Sequence, residues 1–334
     1  MITKFLKKID GFFVLLISAV VLAWLKPEIG AAEGKFSLAA IANYGISAIF
    51  FFYGLKLNRH KLRADIGNWK LHILIHIATF VLFPLLILLL RPLFHGDDNT
   101  LLWLGIFYLA ALPSTVSSSV VMVSIAKGNI PAAIFNASIS SLIGVFITPL
   151  WMSLILSRAA ETDADTLVSI IGKLVLLVLL PLTLGMALNR QWGKFAEKNS
   201  FKIRIFDQSI ILLIVYTSFS ASFANNVFEG FSTTTIIMCA AAMLILFFVV
   251  FGIVGILCRR LKMNREDTIT AQFCGSKKSL VHGTAMSKVI FAEHSAIGVI
   301  LLPIMIYHAL QLMAVSAIAR RKMKNEELRT LDSH

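Results

Sequence analysis

Two adjacent lysines, Lys277 and Lys278, interrupt an apolar segment whose central stretch reads CGSKKSLVHG (274–283). Taken as a membrane span, this segment places Lys277 eleven residues beyond Glu266, which is about 16 Å along a helix. Half of a bilayer's hydrocarbon core is about 15 Å, so the pair is predicted near the midplane. A charge at that depth costs at least about 2.5 kcal/mol, so both ammonium groups require compensating partners.

These partners are not carboxylates at the same depth, because all 18 acidic residues lie in predicted loops or near the ends of apolar spans. Backbone carbonyls at broken helix ends, nearby hydroxyl groups and an anionic substrate remain. The sequence also leaves open a re-entrant or cytoplasmic loop in which water solvates the two lysines.

A cluster of hydroxyl side chains follows a proline in an earlier apolar span, Leu112-Pro-Ser-Thr-Val-Ser-Ser-Ser119. Proline removes a backbone donor and clashes with the preceding turn, so the helix is predicted to break there. The hydroxyls then either bind a ligand or satisfy the freed carbonyls of a kinked helix. We favour a substrate- or cation-binding site formed by Ser114, Thr115, Ser117, Ser118, Ser119, Asn136, Ser140, Gly275, Ser276, Lys277, Lys278, Ser279 and His282.

Histidines and glutamines supply further polar candidates. His72 and His76 have an i, i+4 spacing that suits a metal, but no third ligand is apparent, so packing is the preferred interpretation. His282 and His308 could relay protons or serve as hydrogen-bonded structural residues. Gln272 and Gln311 are polar residues within the ninth and tenth apolar spans and are candidates to join the site, whereas no cofactor is predicted.

The composition requires a lipid environment for these groups. The 334 residues are 57% hydrophobic and 15% charged, with a mean hydropathy of +0.82, whereas soluble domains carry about 25% charged residues. The net charge of +13 is spread in short clusters between apolar spans, which indicates membrane topology and excludes a nucleic-acid partner. The three cysteines show no CxxC spacing, so neither disulfides nor a thiolate metal site is predicted.

Ten apolar spans are predicted, and the first is expected to stay uncleaved because no small-x-small motif follows it. Twenty-three of the 31 lysines and arginines fall in alternate segments assigned to the cytoplasm and six on the other side, so both termini are predicted to be cytoplasmic in a cell (inner) membrane. The spans are 9–25, 36–55, 70–90, 101–126, 130–156, 167–189, 203–224, 231–258, 267–291 and 295–319.

The spans divide into two sets of five, residues 1–162 and 163–334, that form one membrane domain. Ser114 and Ser117 of the fourth span match Ser276 and Ser279 of the ninth with a shift of 162 residues in both cases. A short junction (127–129 or 292–294) and a span with an interior proline follow each polar break. Interrupted helices at equivalent places in two inverted repeats mark a transporter's central site.

This pattern resembles the bile acid:sodium symporter family (solute carrier family 10), in particular its member 7-type branch and bacterial proteins of that branch. The resemblance rests on Thr79-Phe-Val-Leu-Phe-Pro84, Leu112-Pro-Ser-Thr-Val, Lys127-Gly-Asn129 and Phe273-Cys-Gly-Ser-Lys-Lys-Ser-Leu280. It implies a core domain of spans 3–5 and 8–10 and a panel of spans 1, 2, 6 and 7.

The resemblance carries the family's sodium positions over only in part. Its fourth-span ligands fall near Ser118 and Ser119, and its fifth-span ligands fall near alanines 133 and 137, beside Asn136 and Ser140. A glutamate that serves both sodium sites is Phe273 here, and a third-span glutamine is Thr79. A lysine of the pair is therefore expected to stand in for a missing cation.

The leading functional prediction is a secondary transporter of a small organic anion, with Na⁺ or H⁺ as candidate coupling ions. The resemblance also suggests an alternative, a non-transporting membrane regulator linked to calcium homeostasis. An intramembrane enzyme is disfavoured, because the sequence shows no HExxH motif and no acidic pair at depth. Substrate identity, transport direction and oligomeric state are not predicted.

Overall fold

A computed structural model describes residues 11–32, 34, 37–56, 67–94, 97–159, 172–173, 175–229, 232–291 and 296–331. Within these ranges the regular elements are helices, and no strand occurs. The predicted junction at 292–294 lies outside the described residues.

The helices, numbered in chain order, are α1 (Gly11–Leu25), α2 (Pro27–Ala31), α3 (Leu38–Lys56), α4 (Trp69–Leu89), α5 (Asp97–Ala111), α6 (Ser117–Ile125), α7 (Ile130–Ala159), α8 (Val175–Lys198), α9 (Ser200–Ala224), α10 (Thr233–Arg260), α11 (Arg265–Gly275), α12 (Leu280–Ile290) and α13 (Ile297–Leu331). Helix α4 contains a π-helical stretch at Ala78–Leu82, and α8 begins with another at Val175–Leu179.

Seven of these helices are long and apolar enough to cross a bilayer: α3, α4, α7, α8, α9, α10 and α13. They correspond to seven of the ten predicted spans. The first predicted span contains the short helix α1, the fourth is divided into α5 and α6, and the ninth is divided into α11 and α12. The chain is therefore an all-helical membrane protein with several spans in the part that the structure describes.

Two helices extend beyond the ends predicted from hydropathy. Helix α8 continues past residue 189 to Lys198, and α13 continues past residue 319 to Leu331. Hydropathy marks where a segment becomes too polar for lipid, but charged residues such as Lys and Glu remain good helix formers. The helical hydrogen bonds therefore continue after the apolar sequence ends.

The chain separates into two compact units that alternate along the sequence. Unit 1 contains 1–57, 161–231 and 283–302, so it holds α1–α3, α8, α9 and most of α12. Unit 2 contains 58–160, 232–282 and 303–334, so it holds α4–α7, α10, α11 and most of α13.

Within unit 1, helices α3 and α8 approach each other closely enough for their backbones to touch. A Cβ on Gly54 would collide with the backbone of Leu182, and a Cβ on Gly185 would collide with the carbonyl oxygen of Phe51. Asn189 also donates a hydrogen bond to the carbonyl of Leu55 at 2.6 Å. Small residues permit this close packing in a membrane, where apolar association has no hydrophobic driving force.

Within unit 2, a buried carboxylate joins the starts of three helices. Asn68, Asn129 and Asn264 immediately precede α4, α7 and α11. Asp267 accepts hydrogen bonds from the side-chain amides of Asn68 (2.8 Å) and Asn129 (2.9 Å), and its own N–H donates to Oδ1 of Asn264 (2.7 Å). Asn129 and Asn264 also cap their helices through their side-chain oxygens, which satisfies N–H groups that a helix leaves unpaired. These contacts fix α11 against α4 and α7.

Candidate functional site

The first break in unit 2 separates α5, which ends at Ala111, from α6, which begins at Ser117. A helix leaves its last carbonyls without intrahelical donors, and Pro113 has no N–H to offer them. Thr148 of α7 donates to the carbonyl of Ala111 at 2.8 Å. The carbonyls of Ala110 and Leu112 receive a donor from a different part of the chain, Lys278.

The second break, residues 276–279, lies between α11 and α12 and contacts the first. The Ser114 hydroxyl donates to the carbonyl of Cys274 at 2.6 Å, and the N–H of Ser279 donates to the carbonyl of Pro113 at 2.9 Å. The N–H of Ser114 donates to the hydroxyl of Ser140 in α7 at 2.9 Å. The two interruptions therefore lie side by side and satisfy each other's backbone groups.

Gly275, one of the predicted site residues, lies immediately before the break. Gly275 is the last residue of α11, and unwinding begins at Ser276. A Cβ on Gly275 would lie 3.4 Å from the Cβ of Ala78, an ordinary van der Waals distance, so α11 contacts α4 at this residue.

Helix α13 holds the second break at two points. The Gln311 side chain accepts from the N–H of Lys278 and donates to the carbonyl of Lys278, both at 2.8 Å. The Tyr307 hydroxyl donates to the carbonyl of Ser276 at 2.7 Å, while the Ser276 hydroxyl donates back to the carbonyl of Gln272 at 2.6 Å. The unwound backbone is thus hydrogen-bonded at 276 and 278 although it is buried.

Lys278 is fully enclosed and directs its ammonium group at backbone carbonyls. Its Nζ donates to the carbonyl oxygens of Thr79 (2.7 Å), Ala110 (2.6 Å) and Leu112 (2.8 Å). The Nζ also lies 4.2 Å from the centre of the Phe83 ring, within the range of a cation–π contact. Carbonyls at a broken helix end, one of the kinds of partner that the sequence leaves open, are therefore bound by Lys278, and a further carbonyl comes from Thr79 of the third predicted span.

A proline explains why the carbonyl of Thr79 is available. In the π-helical stretch of α4, the N–H of Phe83 donates to the carbonyl of Ala78, five residues back. The next bond of that series would run from residue 84 to Thr79, and Pro84 has no N–H. Pro84 was part of the recognised sequence pattern, so this signal was present but was not connected with the lysines.

Lys277 has a different environment. Its side chain is also fully buried, but its Nζ donates to one described acceptor, the hydroxyl of Ser118, at 2.7 Å. The Ser118 hydroxyl donates to Thr115 (3.0 Å), which shares a hydrogen bond with Ser119 (2.8 Å). A chain of three hydroxyls therefore leads from the ammonium group into α6.

The other predicted site residues are placed as follows. Ser279 hydrogen-bonds with Nδ1 of His282 at 2.9 Å at the start of α12. Asn136 bonds instead to Nδ1 of His72, at 2.9 Å, and to its own helix, so its described hydrogen bonds do not reach the lysine pair. The side chain of Ser117 lies outside the described residues. Among the described residues, no three His, Cys, Asp or Glu side chains are grouped closely enough to hold a metal ion.

Apolar membrane helices that break and meet through buried polar residues are characteristic of secondary transporters. The chain belongs to the SBF-like CPA transporter family, whose model matches residues 10–324. The resemblance to the bile acid:sodium symporter family is thereby confirmed, and transporter membership indicates a protein that is not an enzyme.

Three relatives show how far the similarity extends. “Uncharacterized protein PA2026” of Pseudomonas aeruginosa is 40% identical over 318 residues, which cover 95% of this chain and 94% of that protein. “Putative symporter YfeH” of Escherichia coli is 37% identical over 327 residues, covering 97% and 96%. “Sodium/bile acid cotransporter 7” of Rattus norvegicus is 29% identical over 313 residues, covering 92% and 91%.

Proposed function

We propose that the protein is a secondary active transporter of a small organic anion in the cytoplasmic (inner) membrane, with both termini in the cytoplasm. The observation that carries this proposal is the buried lysine pair at the meeting point of two broken helices. Neither lysine has a carboxylate among its described hydrogen-bond partners. A membrane-buried cation without an acidic partner favours an anionic ligand.

The architecture proposed for this function is a ten-span inverted repeat, residues 1–162 and 163–334, with a core of spans 3–5 and 8–10 and a panel of the other four. The breaks in the fourth and ninth spans support the repeat, because they occupy equivalent places in the two halves. The composition of the two units supports the core and the panel for most of the helices, since α4–α7, α10, α11 and most of α13 group together, whereas most of α12 groups with α1–α3, α8 and α9. Transport would proceed by movement of the core against the panel.

We further propose that sodium is not the coupling ion, although one relative's name includes sodium and bile acid. In transporters with broken helices, unwound carbonyls and the C-terminal ends of half-helices hold the cation. Lys278 makes those contacts here, with carbonyls at the end of α5. The N-termini of α6 and α12 add partial positive charge that suits an anion near the breaks.

Thermal unfolding of the purified protein in lipid nanodiscs tests this function. Candidate organic anions are added in sodium buffer and in choline buffer, at several pH values. We expect an anion to raise the unfolding midpoint equally in both buffers. Stabilisation by sodium itself, with no response to any anion, would contradict the proposal.

A transport assay distinguishes the proposed transporter from the alternative, a non-transporting regulator linked to calcium. A stabilising anion identified in the first experiment is loaded into proteoliposomes, and its radiolabelled form is added outside. Exchange of label across the membrane supports a transporter. A protein that binds the anion but never exchanges it supports a regulator.

A further inference from the structure

The two buried lysines differ in how completely their donors are used. A lysine ammonium group carries three N–H donors and no acceptor. Lys278 uses three of its donors on three carbonyls, and Lys277 uses one on Ser118. Both side chains are buried to the same extent, so solvent exposure does not account for this difference.

The charge of Lys278 is offset by the protein itself. Two of its acceptors, at Ala110 and Leu112, belong to the C-terminal end of α5 and the residue beyond it, where the helix dipole is negative. The Phe83 ring adds a cation–π contact to these hydrogen bonds. Lys278 is therefore a fixed structural cation that joins α4, α5 and the second break.

The charge of Lys277 is not offset in this way. Its one described acceptor is a neutral hydroxyl, and two of its donors have no partner among the described residues. In the hydroxyl chain, Ser118 donates to Thr115, and one proton serves the bond between Thr115 and Ser119. Three hydroxyls carry three protons, so one O–H, on Thr115 or Ser119, has no acceptor among the described residues.

We infer that Lys277 alone binds the substrate's anionic group, that Lys278 only supports the site, and that the substrate is a monocarboxylate. This inference rests on the proposed transport of an organic anion and assigns its recognition to one residue. The two N–H donors of Lys277 that have no partner among the described residues match the two oxygens of a carboxylate, each of which accepts more than one hydrogen bond. One uncompensated positive charge matches one negative charge, so the occupied site is neutral.

Unfolding midpoints of four proteins in nanodiscs separate the two roles: the wild type, Lys277→Met, Lys278→Met and Lys278→Arg. The probes are acetate, pyruvate, hexanoate and benzoate, each compared with its neutral amide and with the dicarboxylate succinate. We expect at least one monocarboxylate to stabilise the wild type and its amide to have no effect. In Lys277→Met the apparent affinity should fall about tenfold or more.

The midpoints without ligand should respond differently to the two substitutions by methionine. Lys277→Met removes a poorly compensated buried charge, so its midpoint should stay level or rise. Lys278→Met leaves three buried carbonyls without a donor, so its midpoint should fall by about 5 °C or more. If Lys278→Met cannot be purified, Lys278→Arg should restore folding and Phe83→Leu should give a smaller fall.

Four results would overturn this inference. Equal destabilisation by Lys277→Met and Lys278→Met would remove the structural distinction. If a monocarboxylate raises the unfolding midpoint of Lys277→Met as much as that of the wild type, Lys277 does not bind the substrate, although the proposed anion transport is not contradicted. If no anion shifts the wild type, the proposed function fails together with the role of Lys277, and tighter binding of succinate than of any monocarboxylate would refute the substrate class.

Discussion

Each of the two units is stabilised internally by a different kind of contact. In unit 1, glycines let the backbones of α3 and α8 touch, and the ion pair between Lys56 and Asp207 (3.3 Å) is partly exposed. In unit 2, buried hydrogen bonds link the helices, and three backbone carbonyls stabilise the ammonium group of the fully buried Lys278. Glycine contacts occur there too, but Gly144 meets the side chain of Pro113 rather than a rigid main chain.

This difference shows which unit is suited to bind a polar ligand. Close backbone contact tolerates no added atoms and leaves no polar group available, so it provides a stiff scaffold. A buried polar network costs stability wherever one donor or acceptor is unmatched, so it persists where each group has a partner or a purpose. Lys277, which has two donors without a partner among the described residues, belongs to this hydrogen-bonded unit.

The strongest test of the scaffold is Gly54→Ala. Its Cβ would meet the carbonyl oxygen of Leu182, which cannot move without shifting α8. We expect a loss of about 3 kcal/mol, measured as unfolding free energy in detergent. Gly252→Ala is the control, because nothing lies within 4 Å of a Cβ there, and it should be neutral or slightly stabilising. Equal effects of the two substitutions would show that backbone contact does not hold unit 1 together.

In unit 2, the corresponding test is Asp267→Ala. The substitution leaves the side-chain amides of Asn68 and Asn129 without their acceptor, so we expect a loss of about 2 kcal/mol. Asp267→Asn keeps one acceptor oxygen and should lose less. Glu266→Ala, at the exposed neighbouring position, should change the unfolding free energy little. Should Glu266→Ala cost as much as Asp267→Ala, the buried network would not be what stabilises this unit.

The smallest expected effect is that of Ser47→Ala in unit 1. The Ser47 hydroxyl donates to the carbonyl of Leu177 at 3.2 Å and is only half-buried, so its loss should cost about 0.5 kcal/mol. Ser18→Ala, which removes a bond to its own helix, is the control and should have no measurable effect. A loss comparable with that of Gly54→Ala would mean that hydrogen bonds, and not shape, hold α3 against α8.

Hydropathy was enough to find the long helices, because a membrane requires about 20 apolar residues in a row. The break at Pro113 and the meeting of the hydroxyls with the lysines also followed from local rules: proline interrupts a helix, and a buried charge needs partners. In the structure, Lys277 donates a hydrogen bond to the Ser118 hydroxyl. Whether these residues bind a substrate stays a prediction.

The missed features depend on contacts between residues distant in sequence. The distinction between Lys277 and Lys278 arises because Thr79 and Ala110 lie near only one of them, and adjacent residues look equivalent in a sequence. Asn136 was grouped with the site because it lies one turn from Ser140, but a helix can present two such side chains to different neighbours.

Because Pro84 leaves the Thr79 carbonyl free for Lys278, the residues at positions 84 and 278 depend on each other. A residue with an N–H at this position would supply the donor that the Thr79 carbonyl lacks in its own helix, so Lys278 would have a competitor. The helix would become more regular while the lysine lost an acceptor. Positions 84 and 278 are therefore expected to vary together among relatives. A relative whose α4 has no proline at position 84 should also lack the lysine at position 278.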